Sequence, residues 1–377
     1  MTSFTARRYD SGEPVRIAIE NDRIREVEPL WTREPLDDWP WVAPAFFDLQ
    51  INGYGGVWFA DDKLTVDQVL EVLAGYQTHG VARLFPTLIT SSREALEHGF
   101  RTVRAACEQE PWANWMVAGC HLEGPYISDQ DGPRGAHPIQ HVRPCDWSEF
   151  EALNAASGGR IRLVTVAAEA GGAAEFVQRA SAAGILVALG HQAADGAQIR
   201  AAVDAGARLS THLGNGAAGI LKRHPNFLWD QLADDRLIAS VISDGHHLPD
   251  AVLKTFVAAK SPERIVITCD ASGLAGMPPG LYPTAFGPFE VVDDGRIVVA
   301  GQRTLLAGSA LTTEVCVGHM VKGAGVTLGQ ACDMAGRIPL RLCGLEAPRL
   351  MAGSRADLVL FQFERNTGAL SIDQLVS

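Results

Sequence analysis

Ile161-Arg162-Leu163-Val164-Thr165-Val166 is an apolar run of strand length, and Ile185-Leu186-Val187-Ala188-Leu189-Gly190-His191 is another. Between them lies an Ala-rich amphipathic stretch, 172–183. Two continuous apolar strands joined by a helix pair in parallel and are buried on both faces. The same grammar extends outward. Apolar runs recur at 45–51, 81–88, 116–122, 207–211, 237–243 and 264–269, with helix-like spacers such as 65–79 and 196–205. Eight such runs within residues 45–269 predict an α/β fold of the closed (β/α)8, TIM-like barrel type rather than an open sheet.

The ends of the chain read differently. Residues 15–20 and 23–27 alternate around Asn21-Asp22, a hairpin signal, and 355–361 is again strand-like. A small β-sandwich domain built from 1–43 plus 346–377 is expected beside a barrel spanning 44–345. After Asp270 a Gly/Pro-rich section leads into a hairpin through 289–299 with Asp293-Asp294-Gly295 at its turn. This places a β-hairpin insertion near 275–305, on the face where barrels carry active sites. Trp31, Trp39 and Trp41 are expected to pin the β domain to the barrel.

Composition narrows the function. The 377 residues carry a net charge of −12, with 47% apolar and 20% charged residues. A large core is available, and the acidic balance argues against nucleic acid as a partner. No apolar run approaches membrane-spanning length, and the first ten residues lack the apolar core of a secretory signal. Seven cysteines, an odd number without a CxxC pair, read as reduced thiols of a cytoplasmic protein.

Chemistry gathers at the ends of the runs. His121-Leu122-Glu123-Gly124-Pro125 closes the third, Gly190-His191 the fifth, Thr211-His212 the sixth, Asp244-Gly245-His246-His247 the seventh and Cys269-Asp270 the eighth. On a barrel these side chains converge over the mouth. Two imidazoles and a carboxylate (Glu123, His191, His212) form a catalytic zinc set with a fourth position for water, though iron or another divalent ion shares such donors. Asp270 would then take a proton from that water and hand it to a leaving amine. His121 is read either as a support for the ligands or as a stacked core histidine, Cys269 as a packed thiol, and Ser309 as the N-cap of a helix over 310–322.

These blocks, with Asp48-Leu49-Gln50-Ile51-Asn52-Gly53, Thr211-His212-Leu213-Gly214-Asn215 and Leu306-Ala307-Gly308-Ser309, resemble the N-acetylglucosamine-6-phosphate deacetylase family of the amidohydrolase superfamily. The likeness runs in order from about Ala43 to Phe361. It implies hydrolysis of the N-acetyl group of an amino-sugar phosphate. Many amidohydrolases hold a second metal with a His-x-His pair where this chain has Gln50 and Asn52, so a single ion per subunit is implied. Asp270 falls on the family's general acid/base and His137 on the residue that holds the acyl carbonyl, next to a backbone contact at Ala136. Asn215 and Gly216 match sugar contacts and His247 a phosphate contact. Arg223 matches an arginine that reaches the phosphate from the neighbouring subunit of a homodimer. Leu306, Ala307 and Gly308 match a loop closing over the substrate. Of the adjacent His246 and His247, one is expected to face the mouth and the other away. The chain departs from the family text at Gly214-Asn215-Gly216-Ala217 and Ala271-Ser272-Gly273, which leaves the sugar open. Two other readings stand beside this one: a different amidohydrolase, such as an N-acyl-D-amino-acid deacylase or a cyclic amide hydrolase, and a non-catalytic sugar-binding homologue.

Overall fold

Eight short segments, almost all of their residues buried, become eight parallel strands, and helices fold back between most of them to cover the sheet. The computed structural model describes residues 2–33 and 35–376. Its central sheet holds Phe46–Ile51, Val81–Ile89, Cys120–Glu123, Ile161–Val166, Leu186–Leu189, Leu209–Ser210, Ile238–Ile242 and Ile265–Thr268, side by side in chain order. The helices Val66–Gln77 and Gly196–Ala205 each begin at a reciprocal capping box, with Thr65–Gln68 and Asp195–Gln198 respectively. Phe47, Leu49, Phe85, Leu163, Ala188, Leu209 and Val266 pack together with Leu340 as one buried cluster drawn from the strands.

The seam between the first and eighth strands is made differently. One parallel bridge joins Ile51 to Ala271. The buried carboxylate of Asp48 does the rest: it accepts the Thr268 and Thr313 hydroxyls, the Cys269 amide at 2.9 Å and the Gln50 amide at 3.0 Å. The first strand also breaks register with the second between Asp48 and Ile51. Irregularities of this kind re-aim side chains at barrel rims.

Both ends of the chain share one six-stranded sheet, ordered Ala369–Val376, Leu358–Glu364, Trp41–Pro44, Thr2–Arg8, Pro14–Glu20 and Arg23–Pro29. Asn21 (φ 49°) and Asp22 (φ 57°) supply the tight hairpin turn between the last two. Trp41 lies under the Arg7 guanidinium, 4.4 Å from its centre, but Trp31 is fully exposed and pins nothing. Its neighbours 30–33 form no strand or helix that would fold it inward.

The insertion after the eighth strand is larger than one hairpin. Gly280–Thr284, Gly287–Val291, Ile297–Val299 and Gln302–Leu306 make a four-stranded antiparallel sheet whose apolar face (Phe289, Val291, Ile297) packs on Trp58. The following helix spans Thr313–His319 and begins at Thr312, so Ser309 is not its cap. Its hydroxyl is drawn away by Asp244. Among the described residues no helix is long and apolar enough to cross a membrane, and all seven cysteines are free thiols.

Candidate active site

Four strand ends meet at one point. Glu123 is the last residue of the third strand, while His191, His212 and Asp270 each follow their strand by two residues. All three of the latter adopt positive φ (49°, 28° and 51°), the left-handed region that L-residues rarely occupy. Backbone strain at such positions gathers where side chains must be aimed at a site. Glu123 Oε1 lies 2.9 Å from His212 Nε2 and 3.4 Å from His191 Nε2.

The three residues offer one ligand atom each, all within 4.8 Å of one another and all buried. His191 Nδ1 lies 2.9 Å from the Pro133 carbonyl, which holds the ring with Nε2 facing Glu123. Two imidazole nitrogens and a carboxylate, all buried, are the donors a divalent ion takes, so the residues fit such a group. The electrostatics agree. Burial alone would raise the Glu123 carboxyl, yet hydrogen bonds from His191 and His212 hold it well below its usual range. Burial likewise opposes charge on His212, but the bond to Glu123 raises it overall.

Gln50 and Asn52 occupy the gap toward Asp270. Gln50 Nε2 bridges Glu123 Oε1 (2.8 Å) and Asp270 Oδ1 (2.9 Å), and Asn52 Nδ2 reaches the same Asp270 oxygen at 2.8 Å. Both amides therefore turn N–H groups, not lone pairs, toward the carboxylates. Asp270 Oδ2 makes no hydrogen bond among the described residues. Burial, then the Glu123 charge, push the Asp270 carboxyl up to about 6.

A cavity of about 360 Å³ opens over this cluster. His137 lines it, with Nδ1 2.8 Å from the Thr90 hydroxyl and its ring 4.3 Å from that of His191. Burial first, then the neighbouring His191, depress the His137 imidazole to about 3, so the ring is neutral. Two glycine-bearing loops close on His191. A Cβ at Gly216 would stand 2.7 Å from its Nδ1, and one at Gly135 3.3 Å from its Cε1.

No family model matches the chain. It is 34% identical over 348 residues to the N-acetylgalactosamine-6-phosphate deacetylase of Escherichia coli O157:H7, covering 91% of this chain and 89% of that one. The N-acetylglucosamine-6-phosphate deacetylase of Homo sapiens is 36% identical over 334 residues, 85% of this chain and 79% of the relative. The chain belongs to the N-acetylglucosamine-6-phosphate deacetylase family. A solved aspartate-to-alanine mutant of that deacetylase from Mycobacterium smegmatis, in complex with N-acetyl-D-glucosamine-6-phosphate, superposes with a TM-score of 0.88 at 29% identity over all of this chain and 97% of its own.

The cavity of this deacetylase-family chain gathers most of the residues expected from its sequence. Ala136, His137, Asn215, Gly216, His247, Leu306, Ala307 and Gly308 all line it with Asn52, Glu123, His191, His212 and Asp270. Asn215 Nδ2 is buried there without a hydrogen-bond partner among the described residues. Arg223 is not among the lining residues; it lies on an exposed loop of its own chain. His246 and His247 both line the cavity, against the expectation that one would turn away, because the chain turns at Gly245 (φ 83°) instead of running on as a strand. His121 is a core histidine, completely buried between the Thr87 and Thr165 hydroxyls, and burial lowers it to about 4. Residues that sequence reasoning passed over include Thr90, the anchor of His137, and Trp58 and Phe289 in the cavity wall; Asp244 was placed at the end of the seventh run but given no role, and it holds His247. Asp244 closes an apolar run as Asp270 does, and that position was the available signal.

Proposed function

We propose that this protein hydrolyses the N-acetyl group of N-acetylglucosamine-6-phosphate, or a closely related amino-sugar phosphate, giving the free amine and acetate. Membership of a deacetylase family supplies the reaction class. The observation that carries the reading is the pairing of the Glu123, His191 and His212 cluster with an Asp270 carboxylate hung beside it by Gln50 and Asn52.

Glu123, His191 and His212 would hold one divalent ion, zinc by donor type, which when bound supplies Lewis-acid polarisation and lowers the pKa of water. Asp270 moves the proton. Its Oδ1 is saturated by two amides, so Oδ2 accepts a proton from water and delivers it to the departing nitrogen. His137 is neutral, and when Nδ1 accepts the Thr90 hydroxyl its Nε2–H faces the cavity as a donor for the developing oxyanion. Ala136, Asn215, Gly216 and the segment Leu306, Ala307, Gly308 surround the sugar, and His247 faces its anionic end. Arg223 is assigned to the phosphate of a neighbouring subunit, which makes the working unit a homodimer. We place the protein in the cytoplasm and divide it into a β domain (1–43 plus 346–377) and a barrel (44–345).

The galacto epimer is a second reading, because the Escherichia coli relative named for it aligns over 91% of this chain. Acetate release from N-acetylglucosamine and N-acetylgalactosamine, each with and without a 6-phosphate, tests both. Turnover confined to N-acyl-D-amino acids or cyclic amides would overturn the proposal, as would no turnover by metal-loaded protein.

A further inference from the structure

Asp244 is the most heavily used carboxylate on the cavity rim. Its Oδ1 accepts the backbone amides of His246 and His247, both at 2.9 Å. Its Oδ2 accepts His247 Nδ1 and the Ser309 hydroxyl, both at 2.8 Å. The two adjacent histidines differ sharply in consequence. The His246 ring is exposed and has no hydrogen-bond partner among the described residues, whereas the His247 side chain is 7% exposed and locked.

A carboxylate that takes Nδ1–H determines what the other face of the ring can do. Only Nε2 is left for the cavity, and a ring so held cannot flip to present a C–H edge. Nε2 then meets a phosphate oxygen across one shared proton, carried either by the ring or by the phosphate, and such charge-assisted bonds are the strong ones. Ser309 adds a second link. It directly follows Leu306-Ala307-Gly308 in the cavity wall, so that segment and the imidazole hang from one carboxylate oxygen.

We infer that Asp244 is a positioning residue for the anionic end of the substrate, acting through His247 and tying it to the segment over the cavity. This rests on the reading of a phosphorylated substrate. Asp244 held only as a turn cap would affect every substrate alike.

The test is Asp244→Asn in the full-length zinc-loaded protein, assayed on N-acetylglucosamine-6-phosphate and on N-acetylglucosamine. KM for the phosphorylated sugar is expected to rise about tenfold or more, with a clearly smaller loss in kcat/KM for the plain sugar, which meets Asp244 only through the Ser309 segment. Combined with His247→Ala, Asp244→Asn should remove no more of the preference for the phosphorylated sugar, since that preference runs through one interaction. Equal losses on the two sugars, or additive losses of that preference in the double variant, would overturn the inference. If the variant fails to fold, nitrogen-15 spectra of the His247 ring in the unaltered protein decide instead. A proton on Nδ1, with inorganic phosphate perturbing Nε2, supports the role, and an unprotonated Nδ1 refutes it. A wild-type protein indifferent to the phosphate would sink the substrate reading, and the same spectra would still judge Asp244.

Discussion

Gly216→Ala is the sharpest perturbation the site allows, because its effect divides into two parts that a control separates. Gly216 sits at φ +56°, and its added Cβ would lie 2.7 Å from His191 Nδ1, 2.9 Å from Cε1 and 3.1 Å from Cγ. Holding an alanine in the left-handed region costs about 1–2 kcal/mol. Relieving the overlap costs about 1–3 kcal/mol more if the packing resists. It does resist: Nδ1 is tethered to Pro133, Gly135 closes on the other loop, and the His137 ring is 4.3 Å away. The overlap is therefore expressed as displacement of Nε2 from Glu123, and zinc affinity is expected to fall about 5- to 150-fold, at one decade per 1.4 kcal/mol. Gly184→Ala is the control, with φ +78° and nothing within 4 Å of its added Cβ. It carries the backbone strain alone. Competition with a chromophoric chelator measures zinc affinity, and thermal melting of both variants measures strain. Unchanged zinc affinity in Gly216→Ala, with a melting shift equal to that of Gly184→Ala, would show that the ring has room and refute the reasoning.

Other expectations follow from the same geometry. Asp270→Asn should cut kcat by about 100-fold or more while metal content by elemental analysis stays at the wild-type level. Loss of the metal instead would make Asp270 a ligand rather than a base. With the ionised Asp270 carboxylate as the proposed base and its value raised to about 6, activity should be full above that pH and fall as pH drops through it. A bound cation, by offsetting the Glu123 charge, moves this acid limb lower, so a limb above pH 7 would contradict the assignment. Arg223→Ala should raise KM for the phosphorylated sugar and leave the unphosphorylated one unaffected; equal effects on both would remove it from phosphate binding. Burial pushes the Cys145 and Cys343 thiols up to about 12, leaving about one thiolate in ten thousand at pH 8. Both half-buried thiols should react slowly with iodoacetamide in the native protein, as peptide mapping by mass spectrometry would report, and fast labelling would contradict the upward shift.

Strand 161–166 was legible to the residue because its apolar pattern and the helix that follows it are both local. The run read at 207–211 yields only Leu209–Ser210 as strand, since Thr211 and His212 leave the ladder to turn into the mouth. The insertion was underestimated for a related reason. Gly280–Thr284 alternates between exposed and half-buried positions and contains Pro283, so no apolar run announces it. In the site, the identities of Gln50 and Asn52 were readable, but not that one amide would bridge two carboxylates 73 and 220 residues away. Thr90 stayed silent because its partner lies 47 residues off, and the tie from Asp244 to Ser309 was unreadable because it spans 65 residues. Ser309 shows the converse error. A local capping rule was applied to a side chain that a distant carboxylate had claimed.

The Asp48 joint has a further implication for how this molecule is put together. A cylinder whose last rivet is a charged oxygen pair cannot shut until Thr268, Cys269, Gln50 and Thr313 all bring their protons to it, since an unsupplied carboxylate is costly to bury. Two of those donors are the backbone neighbours of the working groups: the amide of Gln50 itself, and the amide of the residue just before Asp270. The carboxylate that closes the cylinder therefore also holds the backbone on either side of the gap that Gln50 spans to Asp270.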